Sequence, residues 1–445
     1  MFGFKGVRFL KPNIIFYFSD QQRFDTLTPD LMPNLWALAE EGTRYTNSYT
    51  CQPVCGPARA CLQTGKYATQ CECFKNGIPL PETEKTLADY FNENGYDTAY
   101  IGKWHLASGK GKHYEKTAVP KEFQGGYKYW RASDVLEFTS HGYDGFVFDE
   151  NGNQIDFTGY RADAINDFAL EYINNRAEDS DKPFFMFVSQ LEPHHQNDHK
   201  AFEGFRETVC NYKDYPLPED LTFLKGDYKK EYPDYLSAIN RIDYNLGKLI
   251  ETLKEKELYD NTIIIYTSDH GCHFKTRNIE YKRSCHESSI HTPLVIGGGA
   301  FKRGTVDDRL VSLIDLPPTM LDFADIYIPS FFSGISILEQ EKNGEKRENV
   351  FIQISESQVG RAIRTEKYKY SVKALKNGFT KDSSKVYYEA YLYDLENDPY
   401  EKMNLSNDKN FNEIRKMLAK QLSDEMEKAW ELKPKIKPAI INRKK

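Results

Sequence analysis

The side chains best suited to chemistry in this chain occur in two settings: a cysteine-rich stretch around residue 55, and polar residues that end four apolar runs. The stretch NSYTCQPVCGPARACLQTGKY, which starts at Asn47, carries Cys51, Cys55 and Cys61 together with Pro53, Pro57 and Arg59. Thiols here could form a disulfide, bind a metal, act as a nucleophile or fill the core. Eight cysteines in 445 residues, with no stretch of secretory-leader form, fit a reducing compartment better than a disulfide framework. Structural zinc is a second option, because Cys272 and His273, and Cys285 and His286, form two Cys-His pairs, with Cys71 and Cys73 upstream. Such sites space paired ligands by about two to four residues, and adjacent pairs match that poorly.

The apolar runs are short and end in groups that can ligate or transfer protons. NIIFYFS leads to Asp20, DTAYIGKW delivers Lys103, PFFMFVSQLEPHH delivers His194, and NTIIIYTSDHG delivers Asp269 and His270. Runs of this length, rich in β-branched and aromatic residues, read as parallel strands buried on both faces. Helices alternate with them. MPNLWALAEEG has Pro33 at its start and Gly42 past its end, and over 235–257 Leu236, Ile239, Ile242, Leu246, Leu249 and Leu253 recur at helical spacing, a core-facing stripe. This alternation predicts an α/β fold with a large, mostly parallel sheet flanked by helices, and ligands bind such sheets beyond the carboxyl ends of the strands. The four polar strand ends are therefore expected to converge.

A charged segment, LEQEKNGEKREN, places a boundary near Glu345, so that residues 1–345 form a catalytic part and 346–445 a smaller C-terminal α+β part. In the latter, RAIRTEKYKYSVK and EAYLYDLENDPYEKMNL read as antiparallel strands with a turn at ENDP, followed by an amphipathic helix over 410–431. The formal charge of -7, with Lys and Arg scattered, argues against nucleic acid as the main partner. No apolar run approaches the roughly 18 residues of a membrane span. The opening MFGFKGVRFLKPNIIFYFSD is interrupted by Lys5, Arg8 and Lys11 and lacks a small-residue cleavage site, so it is read as part of the fold and the protein as cytoplasmic.

CGPARACLQTG has the form Cys-x-Pro-x-Arg followed by Leu and Thr-Gly, and in this it resembles the signature of the type I, formylglycine-dependent sulfatases of the alkaline phosphatase-like superfamily. Only Cys55 is followed by both Pro57 and Arg59 at the required spacing. The resemblance continues, in family order, through KPNIIFYFSDQQRFD, GYDTAYIGKWHL, LEPHH, YTSDHG, KRSCHESSIHTP and YDLENDP. It implies that a formylglycine-generating enzyme oxidises Cys55, and that a carbohydrate or aryl sulfate is cleaved through a covalent sulfo-formylglycine intermediate. Cys51 and Cys61 are then expected to be core.

A sulfate monoester repels nucleophiles, so its hydrolysis needs cations, an in-line oxygen nucleophile and a proton for the departing alcohol. The resemblance supplies each. Asp20, Gln21, Asp269 and His270 match metal-ligand positions, completed by residue 55, with Ca²⁺ expected and Mg²⁺ or Mn²⁺ as alternatives. Gln21 stands where many sulfatases have Asp, and His270 where many have Asn. Arg59 matches the residue that steadies the formylglycine, Lys103 and Lys282 match lysines that hold sulfate oxygens, His105 matches the histidine that helps expel sulfate, and His194 matches one that assists the leaving group. His195 is the rival of His194. His291, with His195 and His199, is a candidate for substrate recognition, a structural role being the alternative. Specificity is expected in the loops 107–145 and 202–232, where Tyr127, Tyr129 and Trp130 offer rings for stacking. Two other functions fit the same residues: a phosphonate monoester or phosphodiester hydrolase, and a non-catalytic, zinc-stabilised binding protein.

Overall fold

Each of the four apolar runs is a strand, and their register explains why their polar ends meet. In the computed structural model, which describes residues 11–108, 114–176, 182–375 and 379–440, Asn13–Ser19 lies between Thr262–Ser268 and Phe184–Ser189, parallel to both. Ser19 pairs with Ser268 and Phe18 with Ser189, while Asp97–Lys103 continues the parallel set with Gly102 opposite Ser189. Asp20, Lys103 and Asp269 thus leave the sheet along one edge. Residues 1–10, and with them Lys5 and Arg8, lie outside the described residues, as do 109–113 of the loop 107–145.

Among the described residues the large sheet has eleven strands. Its centre is parallel and extends to Tyr129–Ser133; beyond that lies antiparallel Asp144–Asp149, and on the other side Leu294–Gly297 runs antiparallel to both Thr262–Ser268 and Thr43–Tyr49. Side chains alternate between two cores. Ile14, Phe16 and Phe18 face the layer containing the helices Cys55–Thr64, Leu87–Glu93 and Leu316–Phe323, whereas Ile15 and Tyr17 face Pro33–Glu41, Arg161–Asn174 and Tyr228–Glu255. Burying each such side chain stabilises the fold by about 1.5–3 kcal/mol, which is why the runs carry no polar alternation.

The long helix starts at Tyr228, earlier than the periodicity over 235–257 indicates. Pro233 lies inside it, where the ring removes one backbone donor, but Lys229, whose carbonyl loses that partner, is exposed. Buried Tyr228, Glu231 and Tyr232 hold the extra turns in place.

Of the rings expected to offer a stacking surface, Tyr127 and Trp130 are core instead and Tyr129 is half-buried. Tyr127 and Trp130 are fully buried against Tyr100 and Trp104, and Tyr129 packs on Tyr172 with ring centroids 5.0 Å apart. They anchor the sheet's flank.

After residue 345 the chain forms a second sheet: Asn349–Ile354, Gly360–Thr365, Tyr368–Lys373 and Val386–Asp394 are successive antiparallel neighbours, and Lys435–Lys437 adds a parallel edge. The helix Asn412–Lys428 covers it through Leu418, Leu422 and Met426, which belong to the same apolar cluster as Ile14 and Phe16. The two sheets share a core. All eight cysteines are free thiols, and Cys51 and Cys61 are buried. No helix of the described residues is long and apolar enough to cross a membrane.

Candidate active site

Cys55 opens the helix Cys55–Thr64, with Pro57 in the first turn, where a missing backbone donor is tolerated, and left-handed Gly65 (φ 68°) as its end. Arg59 follows four residues later and so lies on the same face. Its Nη2 donates to Asp20 Oδ2 at 3.0 Å, and its Nη1 to the Lys103 carbonyl and Ser189 Oγ at 2.8 and 2.6 Å. The guanidinium ties the helix that begins at Cys55 to three neighbouring strand ends.

Cys55 Sγ accepts a hydrogen bond from Lys282 Nζ at 2.7 Å, lies 3.3 Å from His270 Nε2, and donates to Asp20 Oδ1 at 3.4 Å. Lys103 reaches the same place from its strand, bonding Asp20 Oδ2 at 2.8 Å and Glu137 Oε2 at 3.0 Å. Gly102, directly before it, has φ 102°, and a Cβ there would sit 2.0 Å from the Ser189 carbonyl oxygen. Only glycine lets the two strands approach and still deliver Lys103. His194 Nε2 accepts from Lys282 Nζ at 3.0 Å, so one ammonium touches both Cys55 and His194. His105 enters through a left-handed residue (φ 61°), fixed by its N–H to the Asp134 carbonyl at 2.6 Å.

The charges are strongly coupled. Burial opposes ionisation of the Cys55 thiol, but Lys103, Lys282, His270 and His105 outweigh it and hold the thiol well below its ordinary range. Asp20 is likewise held low: burial and Cys55 push it up, and Lys103, His194 and Lys282 pull it further down. Burial, then Lys282, lowers His194. The site is built to stabilise negative charge at residue 55.

Asp20, Cys55, Asp269 and His270 are all buried and present ligand atoms within 4.8 Å of one another. Asp269 Oδ1 accepts from the N–H groups of Gln21 (2.9 Å) and His270 (2.8 Å), while its buried Oδ2 has no hydrogen-bond partner. Burial and nearby Asp20 push its carboxyl up to about 7. His270 donates from Nδ1 to the Gly271 carbonyl at 3.0 Å, which leaves the Nε2 lone pair facing Asp269 Oδ2 at 3.5 Å. Two facing carboxylates, an orphaned oxygen and an oriented imidazole fit a divalent cation. Gln21 adjoins this group in a left-handed conformation (φ 72°) fixed by the Tyr235 hydroxyl, which donates to its carbonyl at 2.8 Å, and its side-chain amide donates to Cys272 Sγ at 3.4 Å.

Other candidates lie apart. His291 donates from Nε2 to the Thr46 carbonyl at 2.9 Å, faces Glu287 with Nδ1 at 3.4 Å, and stacks on Phe24 at 3.7 Å, so both its nitrogens are engaged away from Cys55. His195 stacks on Tyr281 at 4.3 Å, and half-exposed His199 pairs with Glu203 at 2.5 Å and stacks on His141. The Cys-His pairs do not converge: Cys272 meets Gln21, His273 donates to the Lys282 carbonyl at 3.1 Å, His286 bonds Ser284 and Tyr393, and Cys285 sits in a separate apolar cluster.

Sequence reasoning missed Glu137, which is 6% exposed, bonds Lys103, and accepts from Asn197 Nδ2 at 3.1 Å. Burial raises its carboxyl, but Lys103 and His194 prevail and hold it at about 2. No motif marks it, since its partner lies in a strand 34 residues away.

The sulfatase family model matches residues 12–326, and the model of the N-sulphoglucosamine sulphohydrolase C-terminal region matches 278–428. The chain is 32% identical to the uncharacterized sulfatase YidJ of Escherichia coli, covering 95% of this chain and 90% of that one. It is 29% identical to an ulvan-active sulfatase of Formosa agariphila, covering 93% and 81%. Among solved structures, a putative sulfatase from Bacteroides fragilis superimposes with TM-score 0.81 at 24% identity, covering 95% and 96%. BT4656, solved with its substrate D-glucosamine-2-N,6-O-disulfate, does so with TM-score 0.75 at 23% identity, covering 94% and 98%. The match spans the strands that deliver Asp20, Lys103, His194 and Asp269 as well as the helix that carries Cys55, and the chain belongs to the sulfatase family.

Proposed function

We propose that this chain hydrolyses sulfate monoesters, of a carbohydrate or an aryl alcohol, with Cys55 acting as formylglycine after oxidation by a formylglycine-generating enzyme. The observation that carries the reading is the position of Cys55 Sγ, in contact with Lys282 and His270 and close enough to the Lys103 and Lys282 ammonium groups that, against burial, its thiol is held well below the ordinary range. The oxygens of a hydrated aldehyde at residue 55 would occupy that same place. The carbohydrate class is supported by relatives whose names or substrates include ulvan and a disulfated glucosamine.

In this reading one hydroxyl of the residue 55 diol passes its proton to the adjacent Asp269 carboxylate and bonds to sulfur as the bond from sulfur to the alcohol oxygen breaks. His194 and Lys282, already hydrogen-bonded to each other, deliver the proton that the departing alcohol takes up. Lys103 and Lys282 lie where they can hold sulfate oxygens, and Asp20 and Glu137 keep Lys103 aimed. The second hydroxyl then loses its proton to His105, its oxygen re-forms the carbonyl, and the carbon-oxygen bond to sulfate breaks, which restores the aldehyde without a second attack on sulfur. A cation held by Asp20, Asp269, His270 and Gln21, Ca²⁺ first and Mg²⁺ or Mn²⁺ otherwise, would offset negative charge on the sulfate and the nucleophile.

The test is a comparison of kcat/KM on 4-methylumbelliferyl sulfate, a panel of sulfated sugars and an aryl phosphonate monoester, using protein from a maturation-competent host. Sulfate esters should be preferred. A phosphonate ester favoured over every sulfate would overturn the reading.

A further inference from the structure

Lys282 and the helix start at Cys55 are far apart in sequence, yet one turn of the C-terminal sheet bonds the residue after Lys282 and, through Asn76, reaches the residue after Cys55. This turn joins Asn349–Ile354 to Gly360–Thr365, and its centre, Glu356, is 5% exposed and left-handed (φ 64°). Glu356 Oε1 accepts from the Asn76 backbone N–H at 2.7 Å, and Asn76 Oδ1 in turn accepts from the N–H of Gly56, the residue after Cys55, at 2.9 Å. Glu356 Oε2 pairs with Arg283 Nη2 at 2.5 Å, and Arg283 directly follows Lys282. Ser355 and Ser357 add to the same grip: Ser355 Oγ accepts from Gln52 Nε2 at 2.8 Å, and Ser357 Oγ donates to the Arg283 carbonyl at 2.7 Å.

We propose that Glu356 is a positioning residue for the reaction, bridging Asn76 and Arg283 so that the helix start at residue 55 and the Lys282 ammonium keep their mutual distance. The proposal rests on the reading of Lys282 as a sulfate-holding group. A buried carboxylate with both oxygens committed, held in a strained backbone conformation, is more than a simple turn needs. Arg283 is itself left-handed (φ 67°), so the segment carrying Lys282 depends on outside contacts for its shape. Farther along, Glu287 pairs with Lys369 at 2.6 Å and donates its N–H to Glu401 Oε2 at 2.9 Å, which anchors the other end of the segment to the same sheet. The C-terminal sheet is thereby part of the active-site frame, and small displacements of catalytic groups cost large factors in rate.

The test uses the full chain carrying Glu356→Gln, Lys282→Ala, both changes together, and Arg283→Gln, with formylglycine content and melting temperature measured for each. On whichever ester the wild type turns over, Glu356→Gln should lower kcat about 10- to 100-fold while KM changes less. Added to Lys282→Ala, it should remove no more than about a further 2-fold, because the group it positions is gone. Independently of turnover, calorimetry with inorganic sulfate should show Kd weakened about 5-fold or more in Glu356→Gln. An unchanged sulfate Kd, or losses that multiply in the double variant, would overturn the proposal. Should Glu356→Gln fail to fold, Arg283→Gln must show the same sulfate weakening, and its absence overturns the proposal equally. Absence of sulfatase activity in the wild type with the sulfate Kd still responding to Glu356 would sink the functional reading and leave the positioning intact.

Discussion

Replacing Glu137 with Gln tests the electrostatic frame around Lys103 while preserving its shape. The carboxyl is held at about 2 against an ordinary value of 4.5, chiefly by Lys103 at 3.0 Å working against burial. A difference of about 2.5 units at 1.36 kcal/mol each corresponds to about 3 kcal/mol of folding stability. Removing one partner of a buried pair costs about 3–5 kcal/mol, and because Lys103 retains Asp20, the lower end applies. The folded value lies below the unfolded one, so this stability is fully present above about pH 4.5 and is lost as pH falls toward 2. Urea unfolding of wild type and Glu137→Gln should therefore differ by about 3 kcal/mol at pH 7 and by about 1 kcal/mol at pH 3. A difference below about 1 kcal/mol at pH 7, or one constant between pH 7 and 3, would refute this account of the Lys103 environment.

Three further outcomes follow from the same geometry. Exhaustive chelation should reduce turnover at least about 100-fold, with recovery on adding back Ca²⁺, Mg²⁺ or Mn²⁺, because buried Asp269 Oδ2 has no hydrogen-bond partner; full activity in chelated protein contradicts the cation site. His194→Ala should slow esters of poorly acidic alcohols by about 100-fold or more and activated aryl sulfates much less, and equal losses would remove His194 from leaving-group protonation. Gly102→Ala should destabilise the fold by about 3 kcal/mol or more in urea titration, since its Cβ would meet the Ser189 carbonyl at 2.0 Å; a change under about 1 kcal/mol would show that the strands can part.

The parts of this protein legible in its sequence are those governed by local rules. Apolar runs buried on both faces announce Asn13–Ser19 and Thr262–Ser268, and the parallel register then brings Asp20 to Asp269 without further information. Cys55 and Arg59 are singled out by the Cys-x-Pro-x-Arg motif that resembles the sulfatase signature, and the helix then puts them on one face. What escaped notice depends on contacts distant in sequence: Glu137 acquires meaning only through Lys103, and Glu356 only through Asn76 and Arg283. Composition also leaves the choice open where a residue type suits two environments. Tyr127 and Trp130 are as fit for a core as for a binding surface, and burial against Tyr100 decided it. The motif around His291 leaves substrate recognition and a structural role both open, and in the fold neighbouring Glu287 and the Thr46 carbonyl take both of its nitrogens.

The central claim is that residue 55, as formylglycine, is the nucleophile for sulfate ester hydrolysis. Conversion of the thiol side chain to an aldehyde makes the peptide containing Cys55 about 18 Da lighter, whereas ordinary oxidation of a cysteine adds mass. The decisive measurement is the turnover number on a sulfate ester as a function of the converted fraction of that peptide, across preparations matured to different extents and including Cys55→Ala. The account predicts a straight line through the origin, with the alanine variant at zero. Multiple turnover in fully unconverted protein, or in Cys55→Ala, would contradict it.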